Sequence, residues 1–280
     1  PLGKTFRVRL TVVPQYLSAG SLDLASWPGV QFGQTGTIRD SGGEGLVAQN
    51  RRGVGLSASL ETEAGHFWLG TSPLGFPLTT MLGGASYRFG FGRFGLTLNA
   101  FRTSVTDSVL AASGAWDPLT GRVWGLVTDN GGRMDLGLGF KQGWAYVGGG
   151  YSVLMGRHVV TNGKGVAGAG FQIRVVGGST WSARTGANVG MSAFEHNLKG
   201  YTWGHGGYYS PQFSYYAYLP LSFSGRFGPV EIDAQVDMGI NGFWEDETPY
   251  YPGDRALQGA REQMLAWDGH PAQAIYPALT

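Results

Sequence analysis

Polar and apolar positions alternate strictly along much of this chain. In Val230–Ile240 every even position is apolar and every odd one is polar or glycine. Successive side chains of a strand point to opposite faces, so this run predicts a strand with one apolar and one polar face. The polar face carries Glu231, Asp233 and Asp237. The same period marks Phe6–Val12, Val54–Leu60, Leu96–Ala100, Met134–Phe140, Phe171–Val175, Trp181–Met191 and Phe213–Leu221. Weaker runs lie near Val30–Arg39, Phe67–Gly70, Leu82–Phe89, Arg122–Thr128 and Trp144–Val153, giving about a dozen strands, thirteen at most. A soluble sandwich buries such an apolar face against a second sheet. A transmembrane barrel turns it to lipid and the polar face to a wet lumen.

Turns are predicted at Asp129–Gly132, Thr161–Gly165 and Gly177–Ser179, where Asn and Gly tolerate positive φ. Arg39–Arg52 and Ser104–Gly121 read as long loops. Short turns mixed with long loops are what outer-membrane barrels show. Gly253–Gly269 breaks the pattern and reads as a helix after the loop Glu245–Pro252. No run of 18 apolar residues suggests a transmembrane helix.

Composition sharpens the choice. The chain has 280 residues, with 49 glycines and 14% charged residues. A soluble domain usually carries about 25% charged residues, and a lipid-facing wall needs fewer. The net charge of +1 leaves no basic footprint for nucleic acid. Cysteine is absent, which removes disulfides and thiolate metal sites and is compatible with an oxidising compartment. A chain opening on Pro1 is expected to be processed or bounded by design.

Three blocks then carry a resemblance: Thr71-Ser72-Pro73-Leu74-Gly75-Phe76, Gly83–Tyr87 and Phe94–Ala100. A fourth, Gly200–Gln212, contains the more specific string Gly204-His205-Gly206-Gly207-Tyr208-Tyr209-Ser210-Pro211-Gln212. From Glu61 onward the chain resembles the C-terminal domain of bacterial cellulose synthase operon protein C. The resemblance implies an all-β, antiparallel up-and-down transmembrane barrel of about sixteen strands. It implies a bacterial outer-membrane location and passage of a β-1,4-glucan to the cell exterior. The implied partners are the cellulose chain, outer-membrane lipid, and periplasmic and inner-membrane synthase subunits reached through an N-terminal helical repeat region. No 34-residue helical period occurs in this chain. One barrel domain is expected over residues 1–280, with 245–280 a loop bearing a short helix. The family's last strands are expected to be missing.

Candidate lining residues follow from phase. Arg7, Arg133, Asp135, Arg174, Arg184, Glu231, Asp233 and Asp237 fall on the polar phase. They form either a mixed-sign lining for a neutral sugar or cross-strand pairs that only hold the wall. Tyr216, Tyr218, Trp124 and Phe101 also fall there, and their rings could stack on sugar faces. Phe67, Trp68, Phe89, Phe91, Trp181, Phe243 and Trp244 read as interfacial girdles. Tyr201, Trp203, His205, Tyr208 and Tyr209 crowd a glycine-rich segment that is either a gate or a structural corner.

Catalytic signals are poor. Gly163–Gly168 matches G-x-G-x-x-G but precedes a strand, not a helix. Glu61 and Glu63 lack a cleft, and Glu245–Glu247 reads as a solvated loop. No enzyme, cofactor or metal is expected. The alternatives are a general or sugar-selective porin and a soluble β-rich carbohydrate-binding protein.

Overall fold

A computed structural model of the chain describes residues 6–23, 32–37, 46–269 and 275–278. The elements in order are β1 (Arg7–Asp23), a 3-10 turn (Thr35–Thr37), β2 (Leu46–Glu61), β3 (Gly65–Thr71), β4 (Met81–Phe91), β5 (Phe94–Ser104), α1 (Val109–Ser113) and β6 (Ala115–Trp116). Then come β7 (Val123–Phe140), β8 (Gly143–Arg157), β9 (Asn162–Gly177), β10 (Trp181–Phe194), β11 (Phe213–Phe227), β12 (Val230–Trp244), β13 (Thr248–Pro249), α2 (Arg255–Trp267) and β14 (Ile275–Tyr276). Each long strand pairs antiparallel with the next, in the order β1-β2-β3-β4-β5-β7-β8-β9-β10-β11-β12, and β6 adds to β7. The protein is therefore all-β, one antiparallel up-and-down sheet. Among the described residues β1 and β12 are its edges and do not pair with each other. Among the described residues the only other sheet is the two-stranded β13–β14.

The register carries the alternation across the sheet, because directly paired residues share a face. One row runs Arg88, Thr97, Asp135, Gly148, Gly168, Gly190, Tyr216, Asn241. The next runs Phe89, Leu96, Leu136, Val147, Ala169, Val189, Ala217, Ile240. Polar and small residues hold one face and apolar residues the other. The apolar face is uncovered, with Leu10 78% and Ile240 69% exposed. No second sheet lies on it, so a sandwich core is not built among the described residues.

The sheet curls toward its polar face. Arg51 and Leu17 pair on that face at one side of the sheet. Arg51 Nε donates to Gly114 O, just past α1. α1 itself packs on β7, four strand steps from β2. Four steps span about 19 Å along a sheet, and a five-residue helix bridges them only across a concave surface.

Tight turns join the strands at one end, at 62–64, 92–93, 141–142, 178–180 and 228–229. Gly92 and Gly228 supply positive φ there, at 60° and 63°. The long connections, 72–80, 105–122, 195–212 and the segment after Trp244, gather at the other end.

Several expectations are corrected. Asp129–Gly132 is not a turn but the middle of β7. A β-carbon on Gly131 would lie 2.7 Å from Ser152 Cα, so this glycine serves strand proximity rather than reversal. In Thr161–Gly165 the strand already begins at Asn162. The expected loop Arg39–Arg52 enters β2 from Leu46, and Ser104–Gly121 contains α1 and β6. The described part of the expected strand Val30–Arg39 holds the Thr35–Thr37 turn instead. The Gly177–Ser179 turn and the helix within Gly253–Gly269 are present.

Candidate functional site

Two places gather the candidate residues, the concave polar face and a packed layer over its long-loop end. On the polar face Arg133 Nη2 meets Asp135 Oδ1 at 2.7 Å and Nε adds bonds of 2.8 and 3.0 Å to the two carboxylate oxygens. This fork is two residues apart on one strand, so each charge is cancelled locally. Tyr216 and Tyr218 stand side by side on β11, ring centroids 5.9 Å apart. Tyr146 and Asn188 join them, with Tyr146 Oη donating to Asn188 Oδ1 at 3.1 Å. Neither was singled out from the sequence. Their period-2 phase, shared with Trp144 and Arg184, was the available signal.

The remaining lining candidates stand apart. Arg174 and Arg184 pair directly across β9 and β10, like charge against like. Arg174 Nη2 donates to Gly178 O at 2.8 Å, next to a tight turn. Glu231 meets Arg226 at 3.1 Å, both well exposed, a contact of little energetic weight. Asp237 accepts from Gln235 Nε2 at 3.0 Å, and Asp233 pairs with Ser224. Arg7 meets Glu61 at 3.6 Å. Phe101 keeps its polar-face position opposite Gly84 and Gly131. Trp68 and Phe243, expected in girdles, also fall on the polar face, opposite Ser59 and Ser214.

The layer is the true core of the described protein. Phe32, Leu110, Ala115, Trp124, Trp203, Tyr250, Tyr251, Met264 and Leu265 form one buried cluster. Ala111, Val127, Leu154, Leu198 and Tyr208 form a second. Phe32 meets Trp124 edge-on at 5.1 Å, and Trp124 lies 5.7 Å from Trp203. Gly33 N donates to Tyr201 O, and Trp203 N returns a bond to Gly33 O, at 2.9 and 3.1 Å. Asp254 caps α2 by accepting from Ala256 N and Leu257 N, and Arg261 Nη1 reaches Gly36 O at 3.1 Å.

The segment Tyr201–Gln212 is locked into this layer. Gly206 N and Gly207 N both donate to Leu198 O, and Leu198 N donates to Ser210 Oγ. Asn162 Nδ2 holds His196 O at 2.7 Å and Tyr208 Oη at 3.1 Å. Gly204 has φ 99°, and any side chain there would strike the Pro252 carbonyl. Trp124, Trp203, His205 and Tyr208 are buried, so their rings meet protein rather than a passing ligand. Tyr201 and Tyr209 remain about half exposed at the layer's surface.

His205 is fully buried, and its Nε2 donates to Pro249 O at 2.8 Å. Burial drives its pKa down to about 4, against the opposing pull of the backbone carbonyl. The imidazole is thus neutral. Burial likewise pushes the Tyr208 hydroxyl far above its usual range, although Asn162 pulls it back. Among the described residues no group of three His, Asp or Glu side chains could hold a metal.

An up-and-down antiparallel sheet with an uncovered apolar face, a concave polar face and a packed layer at one end defines the class of this protein. Residues 1–277 match the family described as cellulose synthase operon protein C C-terminus, and the chain belongs to that family. The match reaches further toward the N-terminus than Glu61. A protein of Komagataeibacter xylinus named cellulose synthase operon protein C is 30% identical over 267 residues, covering 91% of this chain and 20% of the relative. Proteins of the same name from Xanthomonas axonopodis pv. citri and Pseudomonas fluorescens are 33% and 31% identical, over 78% and 91% of this chain, covering 15% and 20% of those relatives. The chain thus spans about a fifth of the length of these relatives.

Proposed function

We propose that residues 1–280 form a single, non-enzymatic barrel domain in the bacterial outer membrane, which passes a nascent β-1,4-glucan, cellulose, to the cell exterior. The observation that carries the reading is the separation of polar and apolar rows across the middle of the sheet, from β4 to β12. Burying a large apolar side chain is worth about 1.5–3 kcal/mol, and rows of them left in water have no counterpart in soluble proteins of this size. Lipid supplies the missing contact. Strands of about 9–11 residues cross a bilayer when tilted, and the wall strands have 11–18 residues, β3 alone having 7. Closing the wall requires the free edges of β1 and β12 to be met, by each other or by further strands.

The relatives' names point to the cellulose pathway, and the polar face suits that cargo. Its charges are of both signs and some are paired, Arg133 with Asp135 and Arg226 with Glu231, so a neutral polymer meets hydrogen-bonding groups without a strong single-sign field to trap it. The driving force would come from the inner-membrane synthase, with periplasmic subunits as further partners. Single-channel conductance in a planar bilayer, titrated with cello- and malto-oligosaccharides of rising length, tests this. Block that deepens with cello-oligomer length and is absent for the malto series is expected. Conductance indifferent to both series would leave a general porin.

A further inference from the structure

The polar face holds one patch whose shape is set by missing side chains. In the row that crosses β7 to β11, Asp135 and Tyr216 flank three successive glycines, Gly148, Gly168 and Gly190. A β-carbon on Gly190 would lie 2.5 Å from Tyr216 Oη and 2.6 Å from its Cε1, so the ring lies across β10 in the space a side chain would fill. A β-carbon on Gly170 would lie 2.7 Å from Tyr146 Cε1, beneath the Tyr146–Asn188 hydrogen bond. One on Gly148 would lie 2.8 Å from Asp135 Cγ. Glycine in a strand interior costs about 0.5–1 kcal/mol relative to alanine, and here it recurs wherever a neighbouring side chain lies down on the wall.

We infer that Tyr146 over Gly170 and Tyr216 over Gly190, with Tyr218 next to Tyr216 and beside Asn188 and the Arg133–Asp135 pair, form a shelf that binds the flat face of a neutral β-linked pyranose chain. This rests on the export reading above and gives it a contact site. A β-1,4-linked pyranose ribbon shows axial C–H groups on its faces and hydroxyls on its edges. Ring faces suit the first, and Asn188, Arg133 and Asp135 suit the second. The shelf has no net charge, and Tyr216 stays half exposed, so contact is available without enclosure. An α-1,4 chain coils and presents no such ribbon.

Isothermal titration of the detergent-solubilised protein with cellohexaose and maltohexaose tests the shelf. Cellohexaose is expected to bind and maltohexaose not. Tyr216→Ala is expected to weaken cellohexaose by about tenfold, the scale of one aromatic contact. Tyr216→Phe keeps the ring and should keep the affinity. Gly190→Ala leaves the tyrosine but lifts its ring, and should weaken binding as Tyr216→Ala does. Tyr215→Ala, on the opposite face, controls for folding and should change nothing. Equal cellohexaose affinity in the wild type, Tyr216→Ala and Gly190→Ala would overturn the shelf and leave export intact. A wild type that binds neither hexaose overturns the shelf as well, while export is judged separately by the conductance block.

Discussion

Trp124 touches Phe32 and Trp203, residues brought together from three distant parts of the chain. A ring so placed ties loops to the wall, and truncating it opens a cavity. Trp124→Ala is expected to cost about 3–5 kcal/mol, read as early loss of hydrogen-exchange protection in 195–212 while β8–β10 amides stay protected. His205 makes the same layer sensitive to acid. Its imidazole titrates near 6.5 when unfolded and at about 4 when folded, so between those values the unfolded layer binds the extra proton. Stability contributed by the neutral ring is full above pH 6.5, declines as pH falls, and levels off below about pH 4. Tryptophan fluorescence followed from pH 7 to 4 should report the loosening, with a flatter profile in His205→Asn. An identical profile in both proteins would assign the acid response to other groups.

At the scale of the strand, the two faces make opposite demands on neighbouring residues. Leu98 and Asn99 are adjacent on β5, Leu98 paired with Met134 and Asn99 with Arg133. An arginine on the lipid face near mid-membrane costs about 2–4 kcal/mol. Leu98→Arg is therefore expected to lower folding yield and urea resistance in lipid vesicles, and Asn99→Arg to leave both nearly unchanged. This contrast was legible in the sequence, because alternation reports faces directly, and so was α2, whose residues break the period. Glycine was the misleading residue. Asn130-Gly131 reads as a reversal, yet it sits inside β7, with Asn130 Nδ2 donating to Val153 O across the strand pair. Local sequence cannot tell a glycine that turns the chain from one that admits a neighbour. The aromatic segment Gly200–Gln212 was visible as a unit, but its packing partners, α2 and the 32–37 turn, lie too far along the chain to be read from it. Tyr146 and Asn188 were hidden for a related reason. Their meeting over Gly170 depends on register between three strands.

For the whole molecule, the architecture inverts that of a soluble domain. The packed core sits in loops at one end, and the large sheet has no protein over its apolar side among the described residues. On the proposed function lipid covers that side, and the concave polar side is the wet one. Cysteine scanning tests this most directly, since the chain has no cysteine of its own. Single cysteines at Leu56 and Ser57, and at Leu98 and Asn99, would be treated with a charged maleimide in isolated outer membranes. The account predicts rapid labelling at Ser57 and Asn99 and protection at Leu56 and Leu98, with the protection lost when detergent unfolds the wall. Equal labelling at both members of each pair in the membrane would contradict it.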